Sequence, residues 1–336
     1  MTDFLTQDFI QLAKSKYLLT YLDYLKQHHP DVLHLWQQSE LPDEFTLQSS
    51  DLFVLPNLVD RLSALLEQHL NLDQQVAYIR YCARTNLQKA FESIELTSGY
   101  TLKEQLKDYL DRAIFESTTL NHRFLHQLGN TWLVRDKPFK DESWLRMSDA
   151  YMVEFWTLLI QKLTGTYWYP KKIWVQSDAS RYIQKMWADR SFELYAHREI
   201  TGIELPEALL GLKTQTMPVR GVSHQTKPEL FNLKTTLQLS LKPYLINGRP
   251  SIDTAANILG FHPRQLQRKL HKENLKYTRV LDELIFDNVK KELVETEDEI
   301  ADIAFRHGYR LQTHFTRAFK KHCKLTPSEF RNQQKG

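Results

Sequence analysis

The last 110 residues of the chain contain two stretches with the same kind of apolar spacing, and these stretches limit the fold more than any other feature of the sequence. In each stretch, a short segment with apolar residues at helical spacing ends near a glycine, Gly260 or Gly308. A second short segment follows, with apolar residues four apart. Glycine adopts the left-handed backbone conformation at low cost, so it suits a tight turn between two helices. The pattern predicts helix-turn-helix units at about 251–270 and 300–320.

In the first unit, Ser251 can cap the first helix and Pro263 suits the first turn of the second helix. Leu266 and Leu270 are four residues apart and face inward. The opposite face of this helix is cationic and carries an amide. Its residues are Arg264, Gln267, Arg268 and His271.

In the second unit, a longer helix from Tyr277 to Leu293 precedes the short helix that begins at Ile300. Phe315 and Phe319 then anchor a final helix, which is expected to begin after Leu311. The outer face of this helix offers Gln312, Thr313, Thr316, Arg317 and Lys320. Two such helices on one connecting helix could reach successive major-groove segments about 34 Å apart.

The outer faces suit DNA because arginine can pair bidentately with guanine, and glutamine with adenine, in the major groove. A single unit could equally be a plain helical hairpin with a solvated basic face. The charge distribution favours DNA binding over a plain helical hairpin. Residues 227–336 hold 20 Lys and Arg against 13 Asp and Glu, a net charge of +7, whereas the remainder has a net charge of −4. A basic domain on an acidic body is typical of a chain in which one domain meets a polyanion.

The run from Ile300 to Arg331, IADIAFRHGYRLQTHFTRAFKKHCKLTPSEFR, resembles the signature of the AraC/XylS family of bacterial transcription regulators. The matching features are the Ile-Ala start, Gly308 beside an aromatic residue, the Phe315-x-Arg317-x-Phe319-Lys320 core, and Pro327 ahead of a terminal aromatic-Arg pair. The first unit matches through Ala255-Ala256, Gly260 and LQRKL at 266–270. The resemblance covers about the last 105 residues of the chain.

This resemblance implies that promoter DNA is a partner and that activation involves contact with RNA polymerase. The base-reading positions of the family fall on Arg264, Gln267 and Arg268 in the first recognition helix, and on Gln312, Thr313 and Arg317 in the second. Lys320 lies on the same face and is expected to contact phosphate. The sequence departs from the family at three positions. Leu311 replaces a small polar cap, Lys324 a common glycine, and His262 a frequent serine.

Residues 1–212 predict a mixed α+β domain. Helices are expected at Asp8–His28, Leu58–Leu70, Leu72–Ser93, Leu102–Leu128 and Ser148–Leu163, and strands at Thr131–Arg135, Lys172–Gln176 and Phe192–Ala196. The length of this region and the segment Glu199–Leu210 resemble the effector-binding and oligomerisation domain of the arabinose-binding branch of the family. Residues 213–226 contain a proline and a glycine and predict an exposed linker to the DNA-binding domain at 227–336.

Other functions have less support. The ten glycines are too scattered to form G-x-G-x-x-G or G-x-x-x-x-G-K, and Cys82 and Cys323 form no C-x-x-C pair. His122 and His126, expected on one helix, lack a third metal ligand, so neither metal nor cofactor is expected. No signal peptide or membrane span is evident, which predicts a cytoplasmic protein. The aromatic run at 167–169 could line a ligand pocket, but core packing is the simpler interpretation.

The sequence thus predicts an α+β N-terminal effector domain joined to an all-α C-terminal domain with two helix-turn-helix motifs. The expected function is sequence-specific DNA binding by a transcription regulator, an activator controlled by a small molecule whose binding residues are unknown. One alternative is a regulator whose N-terminal domain only dimerises or binds a protein. An enzyme with a DNA-targeting domain is another, but no catalytic motif supports it.

Overall fold

The structure, a computed structural model, describes residues 13–38, 53–54, 57–91, 99–113, 117, 121–127, 129–137, 142–215 and 232–335. These residues fall into two compact units. One contains the described residues up to 215 except Phe53 and Val54, which group with the second unit, formed by the described residues from 232 onward. Within these ranges, no helix is long and apolar enough to cross a membrane.

The N-terminal unit combines helices with a sheet. Its helices are Ser15–His28 (α1), Pro30–Gln38 (α2), Asn57–His69 (α3), Leu72–Phe91 (α4), Leu102–Ala113 (α5), Glu142–Thr164 (α6), Ser180–Met186 (α7) and Glu207–Leu210 (α8). The strands up to this point in the chain are Ala13–Lys14 (β1), Phe53–Val54 (β2, which groups with the second unit), His122–Gln127 (β3), Asn130–Arg135 (β4), Lys172–Trp174 (β5), Glu193–Tyr195 (β6) and Thr201–Leu205 (β7).

Five of these strands form one sheet in the order β3-β4-β7-β5-β6. Only β5 and β6 pair in parallel, whereas β3–β4, β4–β7 and β7–β5 are antiparallel. The register aligns Leu133 with Ile203, and Ile203 with Ile173, so these buried apolar side chains share one face. The helix α6 packs against this face, as its bonds to β4 and β7 show.

The helical part of the core follows the periodicity of its leucines. On α1, Leu18, Leu22 and Leu25 are buried, and on α3 the buried leucines are spaced four residues apart. This spacing places them on one face of each helix, toward α4 and α6. The hydrophobic effect therefore holds a layer of helices against the sheet through α6.

A buried ion pair fixes α6 to the sheet. Asp149 on α6 is fully buried and accepts a hydrogen bond from Arg135 Nη2 on β4 at 3.0 Å. Its carboxylate also accepts from the Ser177 backbone N–H at 3.0 Å, the Ser177 hydroxyl at 2.7 Å and the Thr201 hydroxyl at 2.5 Å. A buried carboxylate is tolerated when its oxygens are bonded in this way.

The C-terminal unit is helical in its described residues from 232 onward. It contains Leu233–Leu241 (α9), a 3₁₀ helix at Lys242–Asn247, Ile252–Leu259 (α10), Pro263–Lys272 (α11), Tyr277–Glu295 (α12), Ile300–Arg306 (α13), Gln312–Cys323 (α14) and Pro327–Lys335 (α15). The chain therefore joins a mixed α/β N-terminal unit to a helical C-terminal unit.

The predicted helix at Leu102–Leu128 is confirmed over Leu102–Ala113 and is wrong over His122–Gln127, which form the strand β3. Residues 114–116, 118–120 and 128 lie outside the described part of the chain. Every residue of β3 pairs with β4 across a hairpin whose Gly129 has a φ of +78°. This pairing outweighs the helical propensity of the segment, since strand formation depends on partners distant in sequence. Four residues along a strand span about 13 Å, so His122 and His126 are too far apart to bind one metal ion together.

The other predicted helices and strands of the N-terminal unit are confirmed, with some ends shifted. The helix predicted from Asp8 begins at Ser15, after the short strand β1, and residues 8–12 lie outside the described part of the chain. The sequence pattern did not predict α2, α7, α8, β1, β2, β3 or β7. Of the predicted linker, Thr214 and Gln215 donate hydrogen bonds to Tyr100 and Leu163 in the N-terminal unit, and residues 216–226 lie outside the described residues.

The Asp149 cluster predicts a large effect of a small substitution. Asp149→Asn keeps the volume of the side chain but leaves the buried Arg135 guanidinium without a counter-charge. We expect the free energy of unfolding to fall by about 3–5 kcal/mol, as when one partner of a buried pair is removed. Urea denaturation followed by tryptophan fluorescence measures this change.

The matched control is Asp73→Asn, which breaks the ion pair with Lys185. Because the Asp73 side chain is 75% exposed, this substitution should cost less than about 1 kcal/mol. Similar losses in both variants would contradict a stabilising role for the buried cluster.

Candidate nucleic-acid interface

The first helix pair of the C-terminal unit, α10 and α11, is bounded by residues that act as predicted. The Ser251 hydroxyl accepts from the Thr254 backbone N–H at 3.0 Å and so caps α10. Gly260 ends the helix with a φ of +71°, and the Phe261 N–H donates to the Ala256 carbonyl at 2.9 Å. This closure is typical of a glycine in the left-handed conformation at a helix C-terminus. The turn therefore sets the direction of α11.

His262 performs the capping role for which the family commonly has serine. Its Nδ1 accepts from the Arg264 backbone N–H at 3.4 Å, while the Gln265 side chain accepts from the His262 backbone N–H at 3.0 Å. Together they form a capping box, and Pro263 lies in the first turn of the helix. The start of α11 is therefore well defined despite the substitution.

The second helix pair, α13 and α14, turns at Gly308, which has a φ of +79°. A Cβ at this position would lie 3.3 Å from Arg249 Cγ, so both conformation and space favour glycine. Leu311 occupies the N-cap of α14, confirming the predicted start of the helix. It provides no capping hydrogen bond and its side chain is 55% exposed.

The C-terminus of α14 is also unusual. Lys324 has a φ of +66°, the left-handed conformation that glycine adopts at many helix ends. The lysine side chain makes this conformation more costly than it is for glycine. Both ends of α14 therefore lack the residue type that would stabilise them most.

Aromatic packing holds α14 in place. Phe315 and Phe319 are fully buried, and the Phe319 ring meets Phe286 of α12 edge-on at 5.7 Å between centroids. Phe330 of α15 lies 5.8 Å from the same ring. Buried aromatic side chains contribute large apolar areas and favourable edge-to-face contacts.

Arg249, just before α10, connects the two helix pairs. Its Nη1 donates to the Tyr309 hydroxyl in the second turn at 3.1 Å, and its guanidinium pairs with Asp282 on α12. Nearby, the Tyr277 hydroxyl of α12 donates to the Pro250 carbonyl at 2.8 Å. The first pair is thus attached both to α12 and to the turn of the second pair.

A polar cluster fixes the short helix α13 to the end of α12. Glu292 accepts from His307 Nε2 at 2.8 Å and from Arg306 at 2.9 Å, and Arg306 also contacts Asp298 at 2.6 Å. The hydrogen bond from His307, followed by that from Arg306, holds the pKa of the Glu292 carboxyl below its usual value. The carboxylate is therefore stabilised in its charged form in the folded protein.

A family model for a helix-turn-helix domain matches residues 255–333, which span both helix pairs. Residues 255–333 form an AraC-type helix-turn-helix domain. Domains of this type bind DNA in transcription regulators. The rest of the chain lies outside the match.

A Proteus vulgaris protein named "Probable transcription factor PqrA" is 37% identical in an alignment of 87 residues, which covers 24% of this chain and 66% of that protein. The chain thus spans just under two thirds of this curated relative. A DNA-binding transcriptional dual regulator from Escherichia coli K-12 is similar at 22% identity, over 34% of this chain and 98% of that chain, with a TM-score of 0.30.

The transcriptional regulator CdpR from Pseudomonas aeruginosa is similar at 18% identity, over 94% of this chain and 97% of that chain. Its TM-score is also 0.30.

The AraC-type domain exposes every side chain that the sequence analysis singled out for DNA contact. In α11 these are Arg264, Gln267 and Arg268, and in α14 they are Gln312, Thr313, Arg317 and Lys320. The buried residues Leu266 and Leu270, and Phe315 and Phe319, lie on the opposite faces of the two helices. Within the described part of the chain, none of the seven side chains forms a hydrogen bond or an ion pair.

Sequence reasoning missed the residues that orient these helices. Arg249 and Tyr309 connect the two pairs, but only Tyr309 was noticed, as the aromatic residue beside Gly308. Gln265 is exposed but is engaged in the cap of α11, which its spacing of three residues from His262 could have revealed. Among the described residues, no three His, Cys, Asp or Glu side chains are placed to hold a metal ion.

The uncapped start of α14 leads to a stability prediction. Leu311→Ser introduces an acceptor for the exposed N–H groups of the first turn, and the exposed leucine contributes little burial. We expect the isolated domain, residues 227–336, to gain about 1 kcal/mol, or roughly 5 °C in Tm. Calorimetry measures the shift.

Leu311→Ala serves as the control, because it removes the leucine without adding a cap. It should leave Tm unchanged or lower it slightly. If serine and alanine lowered Tm equally, capping at this position would not be the limiting factor.

Proposed function

We propose that this protein is a transcription regulator that reads promoter DNA with α11 and α14, the recognition helices of its AraC-type domain. The observation that carries the proposal is the pair of exposed polar faces on these helices, whose hydrogen-bonding side chains have no partners within the described residues. Such side chains are available to bases and phosphates without breaking an internal contact. Neither helix contains an acidic residue that would repel the DNA backbone.

The connecting helix supports simultaneous use of both faces. At a rise of 1.5 Å per residue, the 19 residues of α12 span about 28 Å. Successive major-groove segments on one side of B-DNA are about 34 Å apart. A connecting helix of this length is comparable to the spacing of neighbouring segments of the groove.

We assign base reading to Arg264, Gln267 and Arg268 in α11, and to Gln312, Thr313 and Arg317 in α14. Arginine and glutamine can each form two hydrogen bonds with one base edge, which is the basis of direct readout. Lys320, in the last turn of α14, is assigned to phosphate because lysine is a flexible point charge.

The N-terminal unit, in this proposal, binds a small molecule that controls the regulator, and activation proceeds through RNA polymerase. The presence of a compact α/β unit in the same chain as the DNA-binding domain supports a sensing role. A second candidate keeps DNA binding but limits the N-terminal unit to dimerisation or to binding a protein. Thermal-shift screening distinguishes them, because a ligand at 100 times its Kd adds about 2.7 kcal/mol of stability.

Arginine and lysine substitutions should have different effects on DNA binding. Arg268→Ala and Arg317→Ala each remove a base contact, so each should weaken binding to the cognate site by about 1–3 kcal/mol more than binding to random DNA. Lys320→Ala should weaken binding to cognate and random DNA alike. It should also reduce the slope of log K against log salt concentration by about one unit. Titrations on cognate and random duplexes at several salt concentrations measure these effects.

The conservative variant Arg268→Lys provides the matched control for charge. It retains the positive charge but loses the planar fork, so the loss of specificity should persist while binding to random DNA recovers. Equal losses on cognate and random DNA in both arginine→alanine variants would show that these residues contact only the backbone.

The length of the footprint should report how many recognition helices are engaged. Residues 227–336 alone should bind as a monomer and protect about 20 base pairs, since two major-groove segments one turn apart are covered. If the N-terminal unit dimerises, the full chain should protect about twice that length and bind at least 10²-fold more tightly. Footprinting of both proteins on one promoter, with sedimentation to count chains, tests this.

Protection of about 10 base pairs by the isolated domain would mean that a single recognition helix engages. The helix expected to fail is α14, because its N-terminus lacks a side-chain cap. Leu311→Ser would then be expected to lengthen the footprint.

A further inference from the structure

Three polar side chains meet on the α6 side of the sheet in the N-terminal unit. His122 on β3 pairs directly with Arg135 on β4, so both side chains project from the same face. The His122 ring lies edge-on to the Trp156 ring of α6, with 5.2 Å between centroids. Trp156 is fully buried and Arg135 is 5% exposed.

The remaining hydrogen-bonding atoms of these three side chains have no partners among the described residues. Within the described part of the chain, both ring nitrogens of His122, Nε of Arg135 and Nε1 of Trp156 are buried and unpaired. Buried polar atoms in proteins are nearly always hydrogen-bonded, because leaving one unpaired costs free energy. Four such atoms on three neighbouring residues therefore form a group that requires an explanation.

Two other buried polar side chains of this unit, Asp149 and Trp187, are fully bonded. Asp149, which pairs with the other end of the Arg135 guanidinium, has both oxygens bonded. Trp187, another buried tryptophan, donates its Nε1–H to Glu154 at 2.9 Å. In Arg135 itself, Nη1 and Nη2 are bonded to Ser148 and Asp149, so Nε is the nitrogen without a partner among the described residues.

We propose that His122, Arg135 and Trp156 form a binding site for a small neutral molecule that carries hydroxyl or carbonyl oxygens. The indole and guanidinium nitrogens offer only N–H donors, and a neutral imidazole offers one donor and one acceptor. A hydroxyl oxygen can accept from the first two groups and donate to the third. The assignment of this group as the effector site of the protein rests on the sensing role proposed above for the N-terminal unit.

The charges of the site favour a neutral ligand over an anion. Asp149 already compensates the Arg135 guanidinium. Burial, and then the nearby positive charge of Arg135, lower the pKa of His122 to about 3, so this ring is neutral at pH 7. A buried carboxylate ligand would therefore lack a counter-charge, which is costly in a site removed from water.

The test uses glycolamide and glycolate as probes, because they have the same size but only glycolate is charged. In the full chain labelled with ¹⁵N-tryptophan, the Trp156 indole N–H signal is assigned by its loss in Trp156→Phe. We expect saturable millimolar glycolamide to shift this signal downfield, and glycolate to leave it unchanged. The Trp187 signal, already hydrogen-bonded to Glu154, should stay in place and serves as the internal control.

His122→Phe retains a ring against Trp156 but removes both nitrogens. It should weaken the response to glycolamide at least tenfold while the Trp187 signal keeps its position, which reports that the unit is folded. A stronger response to glycolate would overturn the assignment of a neutral ligand. No response to either probe, together with a cross-peak from the Trp156 N–H to long-lived water, would show that the group holds water only and would overturn the site.

The regulatory role is tested separately, by measuring the affinity of the full chain for DNA with and without glycolamide. A shifted Trp156 signal without a change in DNA affinity would support the site but contradict its role as an effector site. Normal DNA binding by a chain that does not respond to the probes would contradict the site and leave the DNA-reading function standing.

Discussion

Arg249 connects three parts of the AraC-type domain, because it lies just before α10 and its guanidinium contacts both α12 and the turn before α14. The residue precedes α10, its side chain pairs with Asp282 on α12, and it donates to Tyr309 in the turn before α14. Gly308 leaves room for this contact. The direction of each recognition helix relative to α12 therefore depends on a polar contact as well as on apolar packing. Because reading two groove segments requires a fixed separation, such a contact has a direct bearing on DNA recognition.

Sequence reasoning succeeded where short-range chemistry sets the structure. Ser251, Gly260 and Pro263 act within one helical turn of their own position, so their effects can be read from neighbouring residues. The exposed faces of α11 and α14 follow from the spacing of their buried leucines and phenylalanines. The start of α14 at Leu311 was predicted for the same reason, although the residue is a poor cap.

Sequence reasoning failed where the structure depends on partners that are distant in sequence. The segment around His122 has a sequence compatible with a helix, but it forms a strand because β4 is available to pair with it. The order β3-β4-β7-β5-β6 places β7 between strands that precede it in the chain, which no local pattern reveals. The cluster of Asp149, Ser177 and Thr201 likewise joins residues up to 52 positions apart. Neither it nor the unpaired nitrogens of His122 and Trp156 could be anticipated from periodicity.

The capping role of His262 determines where the proton of its ring resides. Since Nδ1 accepts a hydrogen bond from the Arg264 backbone, it carries no hydrogen, and the neutral ring must hold its proton on Nε2. A serine hydroxyl could cap the helix in the same way, but it would place no N–H donor at this position. The exposed imidazole thus presents its Nε2–H as a directional donor beside the positive end of the α11 dipole.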